Sequence, residues 1–279
     1  MYKYLPPERI DVLETNSICF NNPLNFNDPF EFNACFELDS FEVRLRKDLT
    51  DTELLQHLPE EFSELIKLLP PLERDRILDE AKKNMFAIFE NSKNHIKSSV
   101  SDVLLNFNSG LISITRVLSL TKSASNLLMW GHYSQSHSGF ALEFNTEDAF
   151  FNQRRSNKDE FGYLREVIYQ QNLPSIDPLL SPVVNHFLIK SLDWAYEQEW
   201  RILLPETKSM SHKIHDGKTY DLFHIPSSAI KSIVFGCNCS IQLRESIYNL
   251  IASRNDYKHI NYYQATRSTT KYELEIKEI

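Results

Sequence analysis

The chain has 279 residues, with 30 Lys and Arg against 38 Asp and Glu, so its formal net charge is −8 at pH 7. Hydrophobic residues make up 42% and charged residues 24%, which supplies apolar material for one large core and excludes a disordered or fibrous chain. Only 6 glycines occur, and their spacing forms neither the glycine-rich turn of a Rossmann fold nor a P-loop. The sequence therefore disfavours both of these nucleotide-binding classes.

The N-terminus, MYKYLPPERIDVLE, lacks the apolar core of a secretion signal, and no later stretch approaches the roughly 18 apolar residues that span a bilayer. We therefore expect a cytoplasmic protein that does not enter a membrane. The cysteines Cys19, Cys35, Cys237 and Cys239 fit neither a zinc site nor a disulfide framework, so we expect four reduced thiols. An acidic chain without a long Lys/Arg block also lacks the charge of a general nucleic-acid binder.

The first 36 residues predict a strand (YKYL), a short helix opened by a Pro-Pro pair, and a second strand (SICFNN). A turn-rich segment, NPLNFNDPFEFN, follows. Between residues 40 and 108 the apolar residues recur at three- and four-residue steps, which is typical of amphipathic helices. We interpret 40–108 as a helical insertion with a solvated charged face.

After Gly110 the pattern returns to strands. LISITRVLSLT and GFALEFN predict strands, and SASNLLMWGHYSQ between them predicts a helix capped by Ser123 or Ser125. DPLLSPVVNHFLIKSLDWAYEQ predicts a further helix that runs directly into the strand EWRILLPE. Strands without regular alternation with helices indicate one α+β domain over residues 1–279.

Four segments together resemble a family of mostly bacterial proteins known as domain of unknown function 2971. They are YKY at Tyr2 to Tyr4, FNDPFE at Phe26 to Glu31, the stretch Ser119 to Phe144 with SLT and LLMWGHYSQSHSGFALEF, and WAYEQEWRI at Trp194 to Ile202. The resemblance covers nearly the whole chain except the helical insertion, and it implies no activity.

Three short motifs are also similar to those of the ADP-ribosyltransferases, which split NAD between nicotinamide and ribose. That superfamily carries a basic or aromatic residue on its first strand, Ser-x-Ser/Thr or an aromatic residue on a middle strand, and a Glu that opens a later strand, often within Glu-x-Glu. The matching order here is Tyr2-Lys3-Tyr4, Ser119-Leu120-Thr121 and Glu197-Gln198-Glu199. The resemblance implies a split mixed or antiparallel sheet and NAD as a substrate, although a Tyr-Lys-Tyr triplet replaces the usual first-strand Arg or His.

The chemistry of NAD cleavage gives the glutamates their predicted roles. Breaking the N-glycosidic bond passes through an oxocarbenium-like centre, which a fixed carboxylate stabilises. We predict that Glu199 is catalytic and that Glu197 assists, because two residues in Glu-x-Glu on a strand share one face. The alternative is a surface ion pair between these glutamates and Arg201.

The remaining predicted site residues would bind NAD. The hydroxyls of Ser119 and Thr121 share a strand face, Tyr2 and Tyr4 could flank the nicotinamide ring, and Lys3 could reach a phosphate. Other predicted positions are the turn residues Asn27 and Asp28, and His132 and Tyr133 on the helix. Each of these residues has an alternative role in ordinary packing or local hydrogen bonding. His132 and His137 are five residues apart, so a zinc pair on one helix face is disfavoured.

The resemblance thus implies an NAD-dependent mono-ADP-ribosyltransferase of the toxin or phage-defence effector type, whose macromolecular acceptor is a protein or a nucleic acid. Three alternatives stay open at this stage. Water could replace the acceptor, which gives an NAD glycohydrolase; the chain could bind a nucleotide or a partner without turnover; or Glu197, Glu199, Asp28 and Glu31 could gather around Mg²⁺ in a nuclease.

Overall fold

The computed structural model describes residues 1–33, 35–36, 55–56, 60–176, 183–215 and 217–279. The chain divides into two compact units. The first comprises 1–33, 110–174 and 184–279, and the second comprises 34–109 and 175–183. Five α-helices are described: α1 Asp11–Thr15, α2 Glu60–Lys67, α3 Pro71–Ile114, α4 Leu127–Tyr133 and α5 Ile241–Ala252. Short 3-10 helices cover Pro7–Ile10, Pro23–Asn25, Ala149–Phe151, Val183–Leu188, Leu192–Glu197, Glu206–Lys208, Ser227–Ala229 and Asn255–Tyr257.

The strands are β1 Tyr2–Leu5, β2 Ser17–Phe20, β3 Cys35–Phe36, β4 Thr115–Thr121, β5 Phe140–Phe144, β6 Arg165–Glu166, β7 Ile168–Gln170, β8 Ser175–Ile176, β9 Ile189–Ser191, β10 Glu199–Pro205, β11 Ser211–His215, β12 Lys218–His224, β13 Ile230–Phe235, β14 Asn261–Arg267 and β15 Leu274–Glu278. Eight of them form one sheet in the order β15-β14-β13-β5-β1-β4-β10-β6. In this sheet β13 and β14 are parallel and all other neighbours are antiparallel. The predicted α+β class with a mixed sheet is confirmed.

Smaller sheets accompany the main one. The order β11-β12-β2 forms a three-stranded antiparallel sheet, and β7 pairs with β9 in parallel. In the second unit, β3 pairs with β8 in parallel.

The two faces of the eight-stranded sheet carry different side chains. One face is large and apolar and includes Leu118, Leu120, Phe140, Leu142 and Ile202, which are all at most 2% exposed. Burial of this many apolar groups is the main force that holds the first unit together. The opposite face contributes smaller or partly polar groups, and Tyr4, Ala141 and Val234 pack there beside Trp130 of α4. That second face leaves room for polar side chains at the ends of β4 and β10.

The sheet opens between β1 and β4. The described ladder between these strands consists of one pair, Tyr2 with Thr121, whereas β4 is paired with β10 along seven positions. Further along, β4 bonds instead to Asn21, which bridges to Val117. Across the gap, Nζ of Lys3 donates to the carbonyl of Ser119 at 3.1 Å. This local separation of strands creates space within the sheet.

The prediction of one continuous helix before β10 is wrong. The described residues 183–197 make two 3-10 helices separated by β9, because Ile189–Ser191 pairs with Ile168–Gln170. Ser191 has extended dihedral angles, and its hydroxyl accepts from the backbone N–H of Asp193, which starts a new turn. The first part of the predicted helix, residues 177–182, lies outside the described residues.

Two helix boundaries also differ from the prediction. The cap of α4 is Asn126 rather than Ser123 or Ser125, since Oδ1 of Asn126 accepts from the N–H groups of both Leu128 and Met129. The helix α3 continues to Ile114, so β4 begins at Thr115.

The predicted helical insertion is described in part. Within 40–108, residues 60–67 and 71–108 are helical, while 40–54 and 57–59 lie outside the described residues. None of the helices in the described ranges combines the length and apolar character needed to cross a bilayer.

Candidate active site

A cavity of about 330 Å³ lies in the first unit where β1, β4 and β10 meet. Its volume is at the lower end of the roughly 300–1,000 Å³ that is usual for small-molecule sites. Most of the predicted site residues line it: Tyr2, Lys3, Tyr4, Asn27, Ser119, Thr121, Tyr133, Glu197 and Glu199. The other lining residues are Asn21, Asn25, Phe26, Leu120, Met129 and Lys190.

One row of side chains crosses β1, β4 and β10 beside the gap between β1 and β4. Thr121 of β4 is in register with Tyr2 of β1 on one side and with Glu199 of β10 on the other. Residues in register on neighbouring strands project from the same face of a sheet. The three segments that the sequence singled out are therefore adjacent in the fold.

Glu199 is the first residue of β10, and Arg201 lies two positions later on the same face of the strand. The guanidinium of Arg201 donates twice to the carboxylate, from Nε to Oε1 at 2.7 Å and from Nη2 to Oε2 at 2.8 Å. Nη2 also donates to Glu31, and Nη1 donates to the carbonyl of Phe187 at 2.6 Å. Arg201 is fully buried, so the alternative of a surface ion pair is wrong.

Lys190 of β9 connects the carboxylates. Its Nζ lies 2.6 Å from Oε2 of Glu197, 3.2 Å from Oε2 of Glu199 and 3.7 Å from Oε1 of Glu31. All four side chains are at most 5% exposed. Together with Arg201 they form a buried ion cluster of three carboxylates and two cations, which carries one excess negative charge when every member is ionised.

Two tyrosines complete this buried ion cluster. The hydroxyl of Tyr133 on α4 donates to Oε1 of Glu197 at 2.6 Å. The hydroxyl of Tyr169 on β7 accepts from the backbone N–H of Glu199 at 2.8 Å. Because hydrogen bonds to charged groups are stronger than neutral ones, Tyr133 restricts the orientation of Glu197.

The charges within the buried ion cluster shift the pKa values of its members. Burial alone would raise the pKa of Glu199, but Arg201 and Lys190 outweigh this effect and lower it to about 2. Conversely, burial opposes the charge of Lys190 and Arg201, yet the surrounding carboxylates raise the pKa of both cations. Burial raises the pKa of Glu31 despite its contacts with Arg201 and Lys190. At neutral pH the wall of the cavity therefore holds an ionised Glu199, and its low pKa makes this carboxylate a weak base.

Glu197 reaches the cavity by a different route from the one predicted. It ends the 3-10 helix Leu192–Glu197, and Gln198 adopts a left-handed conformation with φ of 47° before β10 begins. The expectation that Glu197 and Glu199 share a face of one strand is therefore wrong. Lys190 nevertheless holds both carboxylates at one wall of the cavity.

The first-strand triplet lines the opposite wall. The ring of Tyr4 packs edge-on against Trp130 with centroids 4.8 Å apart, and its hydroxyl donates to the carbonyl of Ser123 at 2.8 Å. Burial lowers the pKa of Lys3, whose ammonium bridges to Ser119. Tyr2 remains half-buried at the edge of the cavity, while Tyr4 belongs to the core behind it.

The other predicted residues differ in their placement. Asn27 lines the cavity, and Thr121 does so with its hydroxyl accepting from the N–H of Ser123 at 3.2 Å. Asp28 lies outside the lining; its Oδ1 accepts from the N–H of Phe30 at 2.8 Å, as in an ordinary Asx turn. His132 is exposed and is also absent from the lining, so the structure does not bring these two residues to the cavity.

Sequence reasoning did not predict the roles of three members of the buried ion cluster: Glu31, Lys190 and Arg201. It considered Glu31, in the FNDPFE segment, as a Mg²⁺ ligand in the nuclease alternative, and Arg201, in the WAYEQEWRI segment, as part of a surface ion pair. Lys190 carried no motif, and only its position on β9 places it between the glutamates. Unpaired charges are rarely buried, so a charged residue inside an apolar strand pattern such as WRILL is a signal that could have pointed to Arg201.

The carboxylates do not form an evident cation site. In the described part of the chain, no group of three or more His, Cys, Asp and Glu side chains is placed to hold a metal ion. Glu31, Glu197 and Glu199 instead face Lys190 and Arg201. This arrangement gives the magnesium-dependent alternative no geometric support.

Comparison with known proteins identifies one relationship. None of the curated proteins and none of the solved structures compared with the chain gives a significant match. A family model described as Protein of unknown function (DUF2971) matches residues 129–202. This segment runs from α4 into β10 and contains Tyr133, Lys190, Glu197, Glu199 and Arg201. The predicted resemblance to this family is thus confirmed for 129–202, the stretch that supplies most of the buried ion cluster.

Proposed function

We propose that the chain is an NAD-dependent mono-ADP-ribosyltransferase that binds the nicotinamide end of NAD in the cavity between β1 and β10. The observation that supports the proposal most is the convergence of the three separate motifs. Tyr2, Thr121 and Glu199 are in register across three strands, and all of them line the same cavity. The similarity to ADP-ribosyltransferases itself stays a prediction from the sequence.

The proposed role of Glu199 is electrostatic. Cleavage of the nicotinamide–ribose bond builds positive charge on the ribose, and fixed negative charge beside it lowers the barrier. The low pKa of Glu199, which Arg201 and Lys190 maintain against burial, keeps the carboxylate ionised at neutral pH. Because Arg201 already holds it in place, the carboxylate needs no reorganisation as the ribose becomes charged.

Glu197 is suited to orientation of substrate hydroxyls. Its carboxylate lines the cavity and is held by Lys190 and Tyr133 on separate oxygens. Each carboxylate oxygen can accept more than one hydrogen bond. Glu197 therefore retains capacity to accept from a ribose or acceptor hydroxyl while it remains fixed.

The aromatic and polar walls fit a nicotinamide riboside. Tyr2, Phe26 and Tyr133 offer ring surfaces against which a planar heterocycle packs, and Asn27 offers amide groups for hydrogen bonds. A volume of about 330 Å³ suits part of a dinucleotide, with the remainder outside the cavity.

The acceptor is proposed from the resemblance alone. A macromolecule, either protein or nucleic acid, would receive the ADP-ribose, as in a toxin or phage-defence effector that acts in the cytoplasm. Water in place of that acceptor would give an NAD glycohydrolase with the same bond cleavage, so both activities share the same first test.

The test is to incubate the full chain with NAD and to measure free nicotinamide, with and without EDTA. We expect nicotinamide release that EDTA does not change. Glu199→Gln should reduce the rate at least about 100-fold, since loss of one preorganised electrostatic group costs about 10²–10³ in rate. Glu166→Gln is the matched control, because Glu166 is an exposed β6 carboxylate outside the cavity and should leave the rate unchanged.

Circular dichroism should show that the Glu199→Gln protein is folded, and Tyr2→Ala provides a second variant at the other wall of the cavity. Nicotinamide release that persists in folded Glu199→Gln protein would remove the assignment of Glu199. Binding of NAD without any nicotinamide release would instead identify a nucleotide-binding module.

A further inference from the structure

A second, larger cavity of about 590 Å³ lies in the same unit, at the edge of the sheet where β13 and β14 end. These two strands are parallel and are joined through α5, so they form a β-α-β unit. In open α/β sheets built from such units, ligands bind in the crevice beyond the carboxyl ends of the strands, and this cavity lies at the corresponding end of β13 and β14. The volume falls well within the range of small-molecule sites.

His137 in one wall of this second cavity belongs to a loop with an unusual backbone. Gln135, Ser136 and His137 are consecutive and all have positive φ, at 50°, 54° and 68°. Residues other than glycine rarely adopt this conformation, and strained backbone of this kind tends to occur at functional sites.

Asn238 holds the strained loop against the end of β13. Its backbone N–H donates to the carbonyl of His137 at 3.0 Å, and its side-chain amide donates to the carbonyl of Ser136 at 3.1 Å. The backbone packs so closely here that a Cβ on Gly236 would overlap the same His137 carbonyl. The wall is therefore preformed.

The side chains of this cavity are those that bind anions. Arg267 at the end of β14 and Lys271 in the following loop both line it and are exposed, and Ser268, Thr269 and Thr270 add hydroxyls between them. Among the described residues that line the cavity, Glu273 is the only acidic one, and its Oε1 lies 3.8 Å from Nζ of Lys271. The cavity thus carries net positive charge on a chain whose total charge is −8.

His137 supplies a further polar group. Its Nδ1 is buried and has no hydrogen-bond partner among the residues that the structure describes. Burial and the nearby Arg267 lower the pKa of His137, and an anion placed between them would relieve that repulsion.

We propose that this second cavity binds a small phosphate monoester of the nucleoside monophosphate type. The phosphate contacts Arg267, Lys271 and His137, and the exposed ring of Tyr272 at the rim packs against the rest of the ligand. This site is separate from the cavity beside Glu199, and it does not depend on NAD cleavage.

The test is titration calorimetry of the full chain at low ionic strength with AMP, adenosine and inorganic phosphate as probes. AMP should bind, inorganic phosphate should compete with it, and adenosine should bind at least about 10-fold more weakly, because charge-assisted hydrogen bonds to the phosphate dominate. Arg267→Met and Lys271→Met should each weaken AMP binding at least about 10-fold. Both residues are exposed. Because Nη2 of Arg267 also donates to Oδ1 of Asn238, circular dichroism should show that Arg267→Met is folded, and Lys271→Met provides a variant without that contact.

Lys277→Met is the matched control, since Lys277 is an exposed lysine on β15 outside the cavity and its loss changes the net charge equally. Equal weakening by Lys277→Met would show a nonspecific charge effect and overturn the proposal. Absence of AMP binding would also overturn it, as would AMP binding that Glu199→Gln abolishes and Arg267→Met leaves intact, since AMP would then occupy the first cavity.

Discussion

Arg201 holds Glu199 through two hydrogen bonds between neighbouring positions of one strand face, at 2.7 and 2.8 Å. Neither residue has appreciable contact with solvent, so each depends on the other to remain charged inside the protein. The pair fixes a carboxylate at the cavity wall with its charge and position already set. Such fixed charge is useful for catalysis and costly to disturb, which leads to predictions for both stability and activity.

Arg201→Met should destabilise the protein by about 3–5 kcal/mol, because removal of one member of a buried ion pair leaves uncompensated charge on Glu199 and Glu31. The measurement is the free energy of unfolding in urea, followed by circular dichroism. Lys122→Met is the control: Lys122 pairs with Glu166 at 2.9 Å on the exposed surface, so its loss should cost at most about 1 kcal/mol. Equal losses in the two variants would contradict a special role for the buried ion cluster.

Acid should weaken the fold partly through Glu199. The cations lower its pKa from the ordinary 4.5 to about 2, so the folded state binds this proton less readily than the unfolded state does. The resulting stability is fully present above pH about 4.5 and is lost as the pH falls towards 2. Glu31 acts in the opposite direction because burial raises its pKa.

The expected result is a flatter dependence of unfolding free energy on pH between 5 and 3 for Glu199→Gln than for the wild type. Urea midpoints measured across that interval provide the comparison. The control is Glu278→Gln, which removes an exposed side-chain carboxylate on β15. An unchanged slope in Glu199→Gln would show that Glu199 does not titrate as the buried ion cluster requires.

Tyr133→Phe should remove the hydrogen bond to Glu197 and little else. Hydrogen bonds to charged groups contribute about 1.5–3 kcal/mol, so the unfolding free energy should fall by about that amount. If Glu197 orients a substrate hydroxyl as proposed, the rate of nicotinamide release should fall as well. Tyr220→Phe, which changes a β12 tyrosine outside both cavities, should alter neither quantity.

The sequence could predict the segments of the site because short-range patterns determine them. Alternation places Ser119 and Thr121 on one face of a strand, and the strand signal WRILL locates Glu199 at the start of β10. These local rules also predicted the α+β class. They do not determine which strands become neighbours, so the register of Tyr2, Thr121 and Glu199 became known only from the fold.

The missed residues share a physical cause. Glu31 and Arg201 are 170 positions apart, and their ion pair depends on tertiary packing rather than on local sequence. The sequence places Glu197 on the same strand as Glu199, because a left-handed backbone conformation at a residue other than glycine, such as Gln198, is not evident from sequence. Long-range charge pairing and local backbone reversal are therefore the features that separated the predicted site from the observed one.

Two glycines near α4 should respond in opposite ways to alanine. A Cβ on Gly139 would overlap the carbonyl of Leu5 and approach Cα of Pro6 to 2.9 Å, and both neighbours are backbone that cannot move aside cheaply. Gly139→Ala should therefore destabilise the protein by about 1–3 kcal/mol. Gly131 lies inside α4, and apart from its chain neighbours and the backbone of its own helix no atom comes within 4 Å of its Cβ position. Gly131→Ala should therefore stabilise the protein by about 0.5–1 kcal/mol through helix propensity.

Urea unfolding of both variants tests this contrast with the same chemical change in each. Gly139→Ala should also displace Leu5 at the end of β1, which comes directly after the Tyr2–Tyr4 triplet at the cavity. Nicotinamide release should therefore fall in this variant and persist in Gly131→Ala. A stable Gly139→Ala protein would contradict the close approach of the β5 entry to β1, and with it the wall of the cavity that this approach positions.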